Sequence, residues 1–318
     1  MTGRVLRWGR AVYETDADLD LEARSVGEAG MRWSLHAGAE PPPALADATV
    51  LVVHSGVRLD AQRLRAFGAG RGRLVVTTTS GSDHIDVGAA RALGLRVARC
   101  PLARRDAVVE HALAGMIAGL RRLPALQARA VAGAWARAEL PALAPRGIAG
   151  STVVIVGCGV IGARMAEVVG SMGADVIEVD PFAPHGARAR LELDEALGRA
   201  DVVSLHCALS AGTRQMFNAS RIARLRHGAV LINTARGDLL DVDAAVAAVA
   251  AGRLGGLLVD VFPEEPYPRL AAGAAVDGVW FTPHASGYTV GLGRRVAEGV
   301  GAAVAAFVTG APLPFPVV

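Results

Sequence analysis

No lysine occurs anywhere in the 318 residues, so all 33 basic side chains are arginine. Aromatic residues make up only 4% of the chain. Ala, Gly, Val and Leu must therefore fill the core, with close backbone approaches. There are three cysteines, Cys100, Cys158 and Cys207, with no paired spacing. That argues against a disulfide framework or a zinc site and fits a reducing cytoplasm, with no metal expected. No apolar run reaches about 18 residues without a charge or a breaker, and the N-terminus lacks a charged-then-apolar leader pattern. A membrane location is therefore not expected. The net charge is only +3 and the arginines are scattered. Arg104-Arg105 and Arg121-Arg122 are brief clusters without aromatic interleaving, unlike the concentrated basic face of a nucleic-acid binder.

What is present is a long series of alternating strands and helices. The length exceeds what one compact core usually holds, so two domains are expected. Ala48 to His54, Leu74 to Thr78 and Leu95 to Ala98 read as buried strands. Helices start near Leu59 and at Asp86, the second ending at Gly94. A long helix follows Pro101, its stripe running from Val108 and Val109 through Ala112, Met116 and Leu120, with Pro124 marking its end. The Pro- and Gly-rich stretch Pro141 to Gly150 reads as a connection. A second series has strands at Val153–Val156, Asp175–Val179, Val202–Leu205, Val230–Asn233, Leu257–Val261 and Val279–Thr282, and a last helix from about Thr289 to Val308. Apolar strands separated by helices indicate parallel sheets covered on both faces.

Gly157-Cys158-Gly159-Val160-Ile161-Gly162 matches G-x-G-x-x-G, follows the strand TVVIV and opens a helix. The first Gly permits a tight turn, the second a close approach to a pyrophosphate, and the third close helix–strand packing. The helix N-terminus adds free N–H groups and a positive dipole. Asp180 ends the next strand, where a carboxylate accepts from both ribose hydroxyls and repels a 2′-phosphate; this favours NAD over NADP. Arg188 and Arg190 lie near enough in sequence to keep an NADP preference open. A glycine turn in a domain that binds no nucleotide is the plainer alternative, weakened by the full strand–helix–strand setting.

Three strand ends carry charge: Arg236 after VLIN, Glu265 after the strand ending at Val261, and His284 after VWF. Ligands of doubly wound sheets bind beyond the carboxyl ends of strands, so these segments can converge. Reduction of a 2-keto acid needs a guanidinium to hold the carboxylate and polarise the carbonyl. It needs an acid such as His to protonate the carbonyl oxygen. A carboxylate beside that His raises its basicity and fixes its ring. Arg236, His284 and Glu265 supply this set. Each alone also reads as an ordinary surface, loop or turn residue; their coincidence downstream of the glycine motif favours chemistry. Asp260 suits a nicotinamide carboxamide or simply terminates a strand.

At these residues the chain resembles the D-isomer-specific 2-hydroxyacid dehydrogenases. The resemblance runs through GSDHID (Gly81–Asp86), VVEH (Val108–His111), the glycine motif, Leu205-His206, LINTARGDLLD, DVFPEEP and TPHASGYT. It implies two doubly wound α/β domains, a Rossmann cofactor domain (100–286) inserted in a flavodoxin-like substrate domain (1–99 and 287–318). It implies Arg236 as substrate anchor, His284 as acid/base and Glu265 as its partner. It implies a dimerisation arm near 101–145, hence a homodimer, and a minimal catalytic unit with no regulatory domain after residue 318. Cofactor contacts then fall on Gly157, Gly159, Val160, Ile161, Gly162, Asp180, His206, Cys207, Thr234, Ala235, Asp260, His284 and Gly287. His206, His84 and His111 read as structural or supporting. Substrate contacts fall on Ser55 and Gly56, on Gly81, and on Arg236 and His284.

Departures from the family pattern are few. His54 stands where members with phosphorylated substrates often carry Arg before the Ser, which weakens that substrate class without excluding it; Arg58 and Arg137 read as surface arginines, with a phosphate contact as the alternative. Ala208-Leu209-Ser210 replaces Pro-Leu-Thr, and Arg226-His227-Gly228 replaces Lys-Pro-Gly, a turn less preorganised without its Pro. The expected activity is hydride transfer between NAD and a small D-2-hydroxy or 2-keto acid. The alternatives are an NAD-sensing interaction protein similar to the C-terminal-binding corepressors, which share the fold, and an NADP-preferring reductase.

Overall fold

A computed structural model describes residues 3–182 and 189–317. The chain divides into two compact units, Met1–Arg104 with Thr289–Val318, and Arg105–Tyr288.

The first unit holds five parallel strands: β1 (Arg4–Trp8), β2 (Arg32–His36), β3 (Val50–Val53), β4 (Leu74–Thr77) and β5 (Arg96–Arg99), in the order β2-β1-β3-β4-β5. This is the flavodoxin-like order, whose connections reverse direction between β1 and β3. Val50, Val52, Leu74 and Val76 pack in one cluster, Leu51, Val53, Val75 and Val97 in another. Successive side chains point to opposite faces. Both faces are covered, so the strands read as continuous apolar runs rather than alternating ones. The chain's end covers one face, since Leu292, Val296, Val300 and Val304 join the first cluster.

The second unit holds seven parallel strands: β6 (Thr152–Val156), β7 (Asp175–Val179), β8 (Ala189–Arg190), β9 (Val202–Leu205), β10 (Ala229–Asn233), β11 (Leu254–Val259) and β12 (Val279–Phe281). Their order, β8-β7-β6-β9-β10-β11-β12, is the 3-2-1-4-5-6 Rossmann arrangement with one strand added. The long helix Leu102–Leu120 lies directly on this sheet. Its Val109, Ala112, Met116 and Leu120 pack among Val153, Ile155, Val230, Ile232 and Leu258. Gly115 and Gly119 make the approach possible, because a Cβ at either would run into Leu258 or Val230.

Several boundaries differ from the sequence pattern, each for a physical reason. The pattern omitted β1, β2 and the helix Asp16–Glu28. Central β1 carries Arg7, a fully buried charge that does not read as core. Its Nη2 is 2.5 Å from Glu14, its Nη1 2.6 Å from Glu22, and its Nε donates to the Gly9 carbonyl at 3.0 Å. β2 is an edge strand of half-exposed residues. β8 was also absent from the reading. The long helix stops at Leu120, and Pro124 instead sits in the first turn of the next helix, Leu123–Val131, where its missing N–H costs nothing. β11 begins three residues early, at Leu254, hidden by Gly255 and Gly256; a Cβ at Gly255 would strike Arg122 and the Gly228 carbonyl. The last helix starts at Leu292 after a left-handed Gly291. The Arg226–Gly228 turn closes without its proline, with Ala229 N–H on the Arg226 carbonyl and Arg226 held 2.8 Å from Asp201.

Candidate active site

The carboxyl edge of the seven-stranded sheet gathers most of the residues singled out above. At the end of β6, Gly157 adopts φ +91°, and a side chain there would strike the backbone of Cys207. A Cβ on Gly162 would collide with the Gly157 carbonyl. Gly159 caps the helix Val160–Ser171 with no side-chain hydrogen bond, and the space beside it is open. Val160 and Ile161 form the first turn, so its N–H groups and dipole face a site fit for phosphate. Asp180, at the end of β7, accepts from Cys158 N–H at 2.7 Å and from Phe182 N–H at 2.8 Å. One acidic residue thus braces the glycine turn and keeps lone pairs for ribose hydroxyls. Arg188 lies outside the described residues; the backbone of Arg190 pairs with Glu178.

At the end of β9, His206 Nε2 lies 2.9 Å from Ser204 Oγ. Burial pushes the imidazole down to about 4 and the neighbouring Cys207 thiol up to about 11. The folded protein therefore holds His206 neutral where an unfolded chain protonates it near pH 6.5. Its contribution to stability is complete above that pH and is lost as pH falls towards 4. The melting temperature is expected to drop across that window, less steeply for His206→Gln. Parallel curves for the two proteins would remove His206 from the acid response.

The next strand ends position charge. Asn233, fully buried at the end of β10, donates to the Arg236 carbonyl at 2.9 Å and accepts from Ala235 N–H at 3.1 Å. Gly237 then packs against the Phe262 backbone so tightly that a Cβ would collide with it. These contacts fix the loop that carries Arg236. The guanidinium donates to the Ala235 carbonyl at 2.6 Å. The Thr234 hydroxyl is buried and has no partner among the described residues.

Asp260, fully buried after β11, is the hub of the site. Its Oδ1 accepts from Thr282 Oγ at 2.6 Å and Ala285 N–H at 2.7 Å, its Oδ2 from Ser286 N–H at 2.9 Å. Its carbonyl accepts from His284 N–H at 2.7 Å. One carboxylate thereby shapes the loop of His284, whose φ of +53° an L-residue rarely adopts. Gly287 completes this loop, where Tyr288 N–H reaches the Ala285 carbonyl at 2.9 Å. His284 Nδ1 lies 2.8 Å from Glu265 Oε2, while Glu265 Oε1 accepts from Phe262 N–H at 3.0 Å. Phe262 stacks on Tyr267, their centroids 4.6 Å apart, and meets Phe281 edge-on at 5.1 Å. Glu265 thus orients the ring and leaves Nε2 pointing away from it.

Sequence reasoning left one supporting role unseen and named another without its partner. Asn233 carried no signal beyond its place before Thr234. His111, read as structural or supporting, has its Nε2 3.1 Å from Thr282 Oγ. Because that hydroxyl donates to Asp260, it accepts from His111, which extends the hub to the long helix.

The expected substrate loops belong to the first unit. Ser55 and Gly56 follow β3, and Gly56 N–H donates to His54 Nδ1 at 3.1 Å. Gly81 follows β4; its carbonyl accepts from Thr79 Oγ at 2.7 Å, and the nearby Ser80 hydroxyl is buried without a partner among the described residues. Both loops lie at the carboxyl edge of the five-stranded sheet.

The second unit's features fit a dinucleotide: an open helix cap, a strand-end carboxylate and an orphaned threonine hydroxyl. Comparison with known proteins agrees. Residues 113–286 match the profile described as D-isomer specific 2-hydroxyacid dehydrogenase, NAD binding domain. The chain is 32% identical to the (S)-sulfolactate dehydrogenase of Chromohalobacter salexigens, the match covering 90% of each. It is 33% identical to the chloroplastic D-3-phosphoglycerate dehydrogenase 2 of Arabidopsis thaliana, over 84% of this chain and only 42% of that longer enzyme. Among solved structures, D-lactate dehydrogenase from Aquifex aeolicus, complexed with NAD and lactic acid, superposes with TM-score 0.79 at 26% identity over 96% of both chains.

Proposed function

Since this chain belongs to the D-isomer specific 2-hydroxyacid dehydrogenases, with an NAD-binding domain of that family, we propose that it interconverts a small 2-keto acid and its D-2-hydroxy acid. The observation that carries this reading is the His284–Glu265 pair at 2.8 Å, formed after β12 and β11, of which β11 lies beside β10, the strand that leads to Arg236.

In this reading the second unit holds the dinucleotide and the first holds much of the substrate. NAD, when bound, gives or takes the hydride. The chain supplies everything else. Gly157, Gly159 and Gly162, with the helix opening at Val160 and Ile161, receive the pyrophosphate, and Asp180 takes the adenosine ribose. His206, Cys207, Thr234, Ala235, Asp260 and Gly287 line the rest. Arg236 holds the substrate carboxylate with two hydrogen bonds and polarises the carbonyl, a charge interaction that strengthens as the oxygen becomes negative. Protonated His284 delivers its Nε2 proton to that oxygen; neutral His284 removes it in the reverse direction. Glu265 keeps Nδ1 engaged in both directions and so selects the tautomer. Ser55, Gly56 and Gly81 offer backbone to the acid. Because Gly56 N–H already serves His54, its neighbour Ser55 carries more of that role.

The arm is assigned to homodimer formation. The helices Leu123–Val131, Ala136–Glu139 and Leu140–Leu143 bury none of their residues, and Val131 and Trp135 are 78% and 88% exposed. Exposed apolar surface of this kind marks an interface. Among the described residues no helix is long and apolar enough to cross a membrane, and the cysteines are free, in keeping with a cytoplasmic enzyme.

The test is NADH oxidation with glyoxylate, pyruvate, hydroxypyruvate and bulkier keto acids. Turnover of at least one acid to its D-hydroxy product is expected. NADH binding without turnover of any acid would overturn the proposal in favour of a sensor.

A further inference from the structure

The long helix Leu102–Leu120 and the strand β11 keep one register. A Cβ on Gly256 would press on the Gly119 backbone, and a Cβ on Gly115 would strike Leu258. Along the helix these contacts step back by four residues; along β11 they step forward by two. Four helical residues rise about 6 Å and two strand residues span about 6.6 Å, so the steps match. Residues four apart on a helix share a face, as do residues two apart on a strand. The next step therefore sets His111 over Asp260, just past the end of β11, and His111 Nε2 lies 4.0 Å from Asp260 Oδ1. All of these residues belong to the Arg105–Tyr288 unit. His111 closes the Val108–His111 segment singled out in the sequence, and the proposed chemistry gives it no task.

The donors to the Asp260 carboxylate differ in freedom. Ala285 and Ser286 give backbone N–H groups, fixed by the chain. Thr282 gives a hydroxyl, which rotates unless something holds it. The Thr282 backbone is already placed, its N–H on the Val259 carbonyl at 3.1 Å. What holds the hydroxyl is His111 Nε2–H, which donates to its oxygen at 3.1 Å. That bond occupies a lone pair, turns the hydroxyl proton towards Asp260 and polarises the O–H, which strengthens its bond to the carboxylate. Asp260 in turn holds the amides of the His284 turn. Its carbonyl takes His284 N–H, and its carboxylate takes Ala285 and Ser286 N–H.

We infer that His111 is a positioning residue for the acid/base: through Thr282 and Asp260 it keeps the His284 turn in its left-handed conformation and the imidazole on Glu265. The inference rests on the proposed role of His284 and deepens it. A turn at φ +53° persists only where its surroundings over-determine it, and the His111 bond is one of those constraints. His111 acts through two intervening side chains, so its loss loosens the turn and leaves the proton donor present.

The experiment compares His111→Leu, which keeps the bulk and removes the donor, with His111→Gln, whose amide N–H can reach the same hydroxyl. The first measurement is hydrogen exchange of the Ala285 and Ser286 amides, read by NMR without cofactor. Exchange should quicken about fivefold or more in His111→Leu and stay within about twofold in His111→Gln, with the Ile232 amide of β10 unaffected in both. The second is steady-state reduction of the best keto acid. His111→Leu should lower kcat about fivefold or more with the NADH dissociation constant within about twofold, and His111→Gln should restore it. On a Thr282→Val background, His111→Leu should cost less than about twofold further, because both changes break one path. Unchanged exchange in His111→Leu, or an undiminished loss on the Thr282→Val background, would overturn the inference. If the unaltered protein turns over no keto acid, the dehydrogenase reading falls, and the exchange rates alone decide the role of His111.

Discussion

Replacing His284 with alanine is expected to lower kcat for keto-acid reduction by about 100-fold or more while NADH binding is retained. The substitution removes the group that delivers the proton and leaves the glycine turn, Asp180 and Thr234 in place. It also frees Glu265, which keeps its bond from Phe262 N–H and so remains ordered. The measurement pairs steady-state kinetics with a titration of NADH fluorescence. Turnover close to that of the unaltered protein would remove His284 from the chemistry. The shared loss matters too: a variant that also fails to bind NADH would report damage to the Asp260 hub instead of a missing acid.

Arg7→Ala should cost about 3–5 kcal/mol of folding stability, because it leaves two buried carboxylates without their common partner. Glu14 and Glu22 are both nearly inaccessible. Burial already pushes the Glu22 carboxyl above its usual range, against the pull of Arg7 and of Trp33 Nε1–H. Urea denaturation measures the effect. Adding Glu14→Gln and Glu22→Gln to Arg7→Ala should recover part of the loss, since neutral amides do not carry the stranded charge. A single variant within about 1 kcal/mol of the unaltered protein would show that the guanidinium is not the keystone of β1. The network also ties the turn after β1, through Glu14 to Ala11 N–H at 2.7 Å and Arg7 to the Gly9 carbonyl.

Much of the second unit was legible in the sequence. Val153–Val156 and Val202–Leu205 are buried on both faces, so their composition alone marks them as parallel strands. The glycine motif is legible because each glycine answers a steric demand within a few residues of itself. Arg236, Glu265 and His284 were legible as strand-end residues. Asp260 was visible only as a strand terminator, with a cofactor role left open. Its work on the loop that carries His284 needs hydrogen bonds from Thr282, Ala285 and Ser286, more than twenty positions away. In the first unit, β1 (RVLRW) was hidden by its two arginines, Arg4 at its start and the fully buried Arg7.

The sequence by itself determined the fold class, the glycine turn, Asp180 and the three strand-end residues. Those properties arise from local periodicity, backbone sterics and chain order. Tertiary structure alone decided the Arg7 network, the hold of Asn233 on the Arg236 loop and the Asp260 hub. The physical reason is that a charge or hydrogen bond is satisfied by whatever folding brings near it, and linear spacing carries no record of partners contributed by other strands.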